Sequence, residues 1–170
     1  GTNPSVVTTV EEYNKSTNTI TAGAWASSSA TNTARTTLTG AGSQTANVIF
    51  AGQLTNPPYA NQSAVEEYNG STWSEVTDYP SAVSNLSGLG TQTAALGYGG
   101  YPNVTASFEY DGTNWTSTGA MGTGRELASA NIGTQTAGLA AGGYIRPSTT
   151  NSTAVEQYDG SSWTSAPALN

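Results

Sequence analysis

The chain has no cysteine and no histidine, and its 170 residues include only four basic ones, Lys15, Arg35, Arg125 and Arg146. Without thiolate or imidazole ligands, the usual tetrahedral zinc and copper sites have nothing to hold the metal. The same gap removes Ser-His-Asp and Cys-His nucleophilic catalysis. Eleven acidic residues leave a net charge of −7. No basic cluster supplies the positive footprint that nucleic acid or an anionic membrane surface requires. No apolar run is long enough for a spanning helix, so membrane insertion is not expected. Lack of cysteine leaves the redox compartment open. No signal-peptide pattern is visible and residue 1 is Gly rather than Met, as expected of a mature or internal piece of a longer product.

What the chain does have is a recurring phrase. It reads Val-Glu-Glu-Tyr-Asn-Gly-Ser-Thr-Trp at 65–73, Ser-Phe-Glu-Tyr-Asp-Gly-Thr-Asn-Trp at 107–115 and Val-Glu-Gln-Tyr-Asp-Gly-Ser-Ser-Trp at 155–163. A second phrase precedes each copy: Gly-Ser-Gln-Thr-Ala at 42–46, then Gly-Thr-Gln-Thr-Ala at 90–94 and 133–137. Repeats at a period of about 40 to 50 residues signal solenoids or propellers. The richness in Ser, Thr and Gly admits disorder as a reading. The regular Tyr, Trp and aliphatic positions argue instead for a packed all-β protein.

One unit divides into four strands. Thr36 to Gly40 reads as the first, Ala46 to Ala51 as a short buried second, Ala64 to Tyr68 as the third and Ser71 to Val76 as the fourth. Asn69-Gly70, Asp111-Gly112 and Asp159-Gly160 read as tight hairpin turns, since these residues tolerate positive φ. Pro57-Pro58, Pro102 and Pro147 fall between strands two and three, where a missing N–H does no harm.

A double glycine after strand two, followed by a Tyr and a Trp at fixed spacing, resembles kelch repeats, the family that includes the central domain of galactose oxidase. Gly99-Gly100 and Gly142-Gly143 carry the likeness, with Tyr110/Trp115 and Tyr158/Trp163 downstream. Tyr68/Trp73 matches in the first unit, which departs from the pattern with Ala51-Gly52. The resemblance implies a β-propeller of four-stranded blades. It spans an outer half blade over 1–33 and blades over 34–80, 81–123 and 124–170. The half blade repeats Glu-Glu-Tyr-Asn at 11–14, including Tyr13, with Ile20 or Trp25 in place of the usual Trp. The narrower form of the phrases is similar to kelch-type repeats in structural proteins of tailed phages, which implies a virion or extracellular location.

Three blades and a half fall short of the four to eight of a closed propeller. Either the chain continues, or copies associate; a head-to-tail contact that does not close would give a filament. Self-association or other virion or fibre subunits are therefore the expected partners.

Each candidate site has a functional and a structural reading. The Tyr/Trp pairs could stack on sugar rings, but recurrence in every blade favours packing. Gln44, Gln92 and Gln135 could ring a channel for a polar ligand; backbone hydrogen bonding to the adjacent blade is the favoured reading. Calcium at Asp111 or Asp159 is short of ligands. Glu11-Glu12 and Glu66-Glu67 are adjacent strand residues on opposite faces and cannot flank one glycosidic bond. A galactose-oxidase-like copper site needs residue types this chain lacks, so no cofactor or metal is expected. Sequons at Asn61, Asn103 and Asn151 each stand seven residues before their Tyr. They read either as glycan sites on outer loops or, preferably, as turn-shaping residues.

The expectation is a non-enzymatic structural or adhesion module of a virion appendage or surface assembly, presenting the variable loops 53–63, 101–106 and 144–153. The alternatives are a lectin-like propeller that binds cell-surface glycans, and a glycosylated subunit of an extracellular fibre.

Overall fold

A computed structural model describes residues 27–126, 132–148 and 150–170. Tyr13, Ile20 and Trp25, and with them most of the half blade expected over 1–33, lie outside the described residues. Every regular element among the described residues is a strand. Three four-stranded antiparallel sheets follow one another along the chain. The first holds β2 (Thr39–Gly42), β3 (Asn47–Phe50), β5 (Val65–Tyr68) and β6 (Trp73–Glu75). The second holds β7 (Ser87–Thr91), β8 (Ala94–Tyr98), β9 (Ser107–Tyr110) and β10 (Trp115–Ser117). The third holds β11 (Ile132–Thr134), β12 (Ala137–Ala141), β15 (Val155–Tyr158) and β16 (Trp163–Ala166). Two small ribbons hang off the first and third: β1 (Arg35–Thr36) with β4 (Gln53–Leu54), and β13 (Tyr144–Ile145) with β14 (Thr150–Asn151).

Each sheet is a meander in which sequence neighbours pair, so contacts within a sheet are local. The first strand begins at Thr39 rather than at Thr36. Thr37 sits in the left-handed region (φ 53°) and breaks the strand there. The residues before it pair with Gln53 and Leu54 instead, as β1.

The hairpin between the third and fourth strands also differs from the tight two-residue form. Tyr68 pairs with Trp73, Tyr110 with Trp115 and Tyr158 with Trp163, leaving four residues in each loop. The first loop residue is Asn69, Asp111 or Asp159. Its Oδ1 accepts N–H bonds from the residues two and three positions on, at 2.9 and 3.0 Å for Asn69, 2.8 and 2.7 Å for Asp111, and 2.9 and 2.8 Å for Asp159. The glycine that follows takes φ of 92–93° in all three loops, which is why glycine recurs there.

The sheets stack through their first strands: β2 lies against β7, and β7 against β11. The core is therefore two layers of side chains between sheets. Phe50, Val65, Tyr79, Val83 and Tyr110 fill the layer between the first and second. Leu89, Leu96, Tyr98, Met121 and Tyr158 fill the layer between the second and third. The paired glycines after the second strand sit where chain meets chain. A Cβ on Gly100 would lie 2.9 Å from the Ser84 carbonyl oxygen, and one on Gly143 would lie 2.7 Å from that of Glu126. Ala51, in the position of Gly99 and Gly142, is held at φ 60°.

Candidate functional site

The sequence-singled residues meet at the joints between sheets. The Gln92 amide donates to the carbonyl oxygens of Asn47 (3.1 Å) and Tyr68 (2.9 Å) on the first sheet. One sheet further on, Gln135 donates to Ala95 (3.0 Å) and Tyr110 (2.8 Å). Each glutamine thus caps the ends of two strands of the preceding sheet. Gln44 is exposed and donates no hydrogen bond among the described residues.

The tyrosines reach the same way. The Tyr110 hydroxyl donates to Glu67 Oε1 at 3.0 Å, and that of Tyr158 to Glu109 Oε1 at 2.8 Å while also meeting the Thr118 hydroxyl. Burial pushes the Tyr158 phenol up to about 12; the Thr118 hydrogen bond opposes this and the Glu109 carboxylate reinforces it. Tyr110 is raised for the same first reason, with Glu67 adding to it. Both phenols therefore stay neutral donors at ordinary pH. Within each hairpin, Tyr and Trp ring centroids stand 4.8–5.1 Å apart. Trp115 also meets Phe50 (4.9 Å), and Trp163 meets Tyr98 (4.9 Å), across the joints. The faces of these rings are occupied by one another.

The indole nitrogens separate the two joints. Trp163 Nε1 donates to Ser107 Oγ at 3.0 Å. Trp115 Nε1 is buried without a partner, because Val65 stands at the position of Ser107. Replacing Ser107 by valine orphans the Trp163 N–H. It should cost about 1–3 kcal/mol despite adding apolar surface, read as a lower midpoint in urea at unchanged slope.

Sequence reasoning missed the buried ion pairs. Arg35 Nη2 lies 2.7 Å from Glu66 Oε1, and Arg125 pairs with Glu156; all four side chains are buried. Each carboxylate also accepts a backbone N–H from 34 residues upstream, Asn32 for Glu66 (2.6 Å) and Gly122 for Glu156 (2.5 Å). The signal was present: both pairs are separated by 31 residues. The second sheet has neither charge. Val83 and Phe108 occupy those positions, and Tyr79 meets Phe108 edge-on at 5.2 Å.

Along one rim the loops after the second strands converge. Arg146 Nε bonds Glu126 Oε1 at 2.7 Å, and Asn85 donates to Glu126 Oε2 at 3.0 Å. The Arg146 guanidinium lies 5.4 Å from the Tyr101 ring centroid and 5.3 Å from that of Tyr144, within cation–π range. The Arg146 N–H donates to Asn103 Oδ1 at 3.0 Å, and Asn103 Nδ2 returns a bond to the Arg146 carbonyl. Two clefts share this cluster. One of about 280 Å3 is lined by Gln53, Ser84, Asn85, Tyr101 and Arg146. The other, of about 400 Å3, is lined by Tyr101, Pro102, Asn103, Arg146 and Pro147. Tyr101 is 39 % exposed. The chemistry on offer is an aromatic face bordered by amides, a hydroxyl and a guanidinium, and the Glu126 carboxylate beside it is already paired.

Of the three sequon asparagines, Asn103 has its amide engaged as above, Asn61 bridges to Gln53, and Asn151 pairs with Tyr144 in β14. Asp111 and Asp159 face their own turns rather than each other, and no group of three potential metal ligands occurs among the described residues. No helix among them is long and apolar enough to cross a membrane.

The turn aspartates do titrate unusually. The backbone N–H of Ser162, then the hydroxyl and N–H of Ser161, hold Asp159 down at about 2 from its ordinary 3.8. A carboxyl lowered in the folded state stabilises above its unfolded pKa and loses that contribution as pH falls through the folded one. The window is therefore pH 4 down to 2. Asp159→Asn, the residue found at position 69, keeps the acceptor and removes the charge. The wild type should lose stability relative to this variant only in that window, with a carboxyl carbon shift of Asp159 titrating near 2 by NMR.

No protein-family model matches the chain, and a search of curated proteins found none similar to it.

Proposed function

We propose that the three sheets are blades of a kelch-like propeller or partial propeller, and that the chain is a non-enzymatic structural and adhesive module of a virion appendage or other extracellular surface assembly. The observation that carries this reading is the repeated joint. The same Gln, Tyr and Trp contacts link sheet one to two and two to three. Their repetition fits a rotational array, in which identical joints turn successive units by the same amount. The buried carboxylates Glu66, Glu126 and Glu156 are all tied in ion pairs. This favours scaffold over acid–base chemistry, because a paired, buried carboxylate is not poised to move a proton.

Function then resides in the rim. Loops 53–63, 101–106 and 144–153 differ between units in length as well as sequence, whereas the third strands keep the Glu/Gln-Tyr phrase and the same register with Trp, and rigid strands beneath variable loops suit partner contact. Replacing the exposed Tyr101 by alanine should abolish attachment of the full chain to its target cells and leave its thermal unfolding midpoint within about 2–4 °C of wild type, since Arg146 stays in place to pair buried Glu126. Attachment that survives this change contradicts the rim assignment.

The exposed Tyr101 beside Asn85, Gln53 and Arg146 favours a second reading, a lectin-like module for cell-surface glycans. An aromatic face with flanking hydrogen-bonding groups is what a pyranose ring packs on. Binding to a broad glycan array that disappears with Tyr101→Ala supports it; silence on the array removes it and leaves a protein receptor.

A further inference from the structure

We infer that the two ends of the array dock on each other between copies of this chain, head to tail, with Gln44 of one copy capping the strand ends of the third sheet of another. The inference rests on the repeated-joint reading above and goes beyond it by naming both halves of the contact.

The acceptor half is the open face of the third sheet. Ile132 is 63 % exposed, whereas Leu89, at the same position one unit earlier, is 2 % exposed and Ala41 is buried. Leu139 is half-buried, whereas Val48 and Leu96 at its position are fully buried. In the first two sheets this face is covered by the next sheet. In the third it forms a cleft of about 380 Å3 lined by Ile132, Gly138, Leu139, Gln157 and Tyr158, among others. The carbonyls of Gly138 and Tyr158 occupy the positions of Asn47 and Tyr68, and of Ala95 and Tyr110, which accept from Gln92 and Gln135. Gln157 stands where Glu67 and Glu109 accept a tyrosine hydroxyl, and an amide oxygen can accept the same bond.

The donor half is at the other end. Gln44 is exposed, and Tyr68 is only half-buried where Tyr110 and Tyr158 are buried; the Tyr68 hydroxyl meets that of Ser28 as the Tyr158 hydroxyl meets that of Thr118, but among the described residues it reaches no counterpart of Glu109. Among the described residues, then, the Gln44 amide has no partner and the third-sheet cleft has no occupant, and each complements the other by the geometry of two joints already formed within the chain. A partner that brings Gln44 and Tyr68 in the same relative placement is a second copy. Two copies docked this way engage both ends of each and can close; a joint whose rotation does not close extends into a chain of copies.

Sedimentation velocity of the full chain tests this, using wild type, Gln44→Glu, Ile132→Asp and Tyr101→Ala. Gln44 and Ile132 are exposed, so their variants should unfold at the wild-type temperature. Wild type and Tyr101→Ala should self-associate equally, so failure of the rim assignment and failure of this contact are read separately. Gln44→Glu aims an acid at two carbonyls and Ile132→Asp charges an apolar cleft. Each alone should weaken association at least about tenfold. Mixed in equal amounts, the two variants should form a one-to-one complex, because one keeps an intact cleft and the other an intact Gln44. A monomeric wild type overturns the inference. So does either charged variant associating as wild type does, or a mixture that stays monomeric.

Discussion

Arg125→Ala should lower the unfolding free energy by about 3–5 kcal/mol, and Glu156→Ala by a similar amount, because each leaves a buried charge without its partner. Arg125 is wholly buried and is held by the carbonyls of Thr123 (2.9 Å) and Ala140 (3.3 Å) as well as by Glu156. Its Nε has no partner, nor has that of Arg35. The pair is therefore imperfectly compensated, and its intrinsic contribution to stability is small. The second sheet supplies the control, with Val83 and Phe108 in place of arginine and glutamate. Arg125→Val together with Glu156→Phe should recover most of the loss of either alanine variant. Met121, bonded to Thr105 as Tyr79 is to Ser63, has the flexible side chain needed to repack against the new ring. A double-mutant cycle by urea unfolding measures the coupling. A double variant no more stable than its singles would contradict the equivalence of the two arrangements.

Phe50→Ala should cost about 3–5 kcal/mol. The ring is fully buried, stacks on Tyr79 at 5.5 Å and 19°, and meets Trp115 at 4.9 Å. Beneath it lie Gly88 and Gly97, a cross-strand pair of the second sheet. A Cβ on either would come within 2.7–2.8 Å of the Phe50 ring. Phenylalanine thus fills a recess that two glycines create, and those glycines have no side chains to collapse into the space it would leave. Its removal strikes the first joint alone. Urea unfolding should show the loss without a separate transition for the third sheet, as expected if the joints couple the sheets into one cooperative unit. A cost below about 1 kcal/mol, or an early transition, would show that the joint does not carry the coupling between sheets.

Much of the fold was legible because the repeat copies short-range chemistry. The Asn/Asp-Gly turns, the Tyr opposite Trp and the paired glycines are all set by residues within a few positions of one another. What stayed hidden depends on pairing across units. The three arginines read as scattered, yet each is tied to an acid 20 or 31 residues away. That separation acquires meaning only once the third strand is known to return beneath the loop that precedes the first. The strand break at Thr37 was illegible for a related reason. Threonine does not ordinarily favour a left-handed backbone; Asn, which does, stands at the same position in the next unit as Asn85 (φ 54°), where Ser84 bridges to Tyr101 as Thr36 pairs with Gln53. The rim cluster combines loops of different sequence, so no repeat announced it. The exposed Ile132 could be seen as an anomaly only against buried Leu89.

The exchange rates of the Gln44, Gln92 and Gln135 side-chain amides, resolved in one NMR spectrum of the Ile132→Asp chain, in which the contact between copies is disabled, test the repeated joint most directly. Gln92 and Gln135 should be protected, each donating to two carbonyls of the neighbouring sheet, while exposed Gln44 exchanges at the rate of a free amide. All three exchanging alike and fast would mean that the sheets are not locked together in the way described.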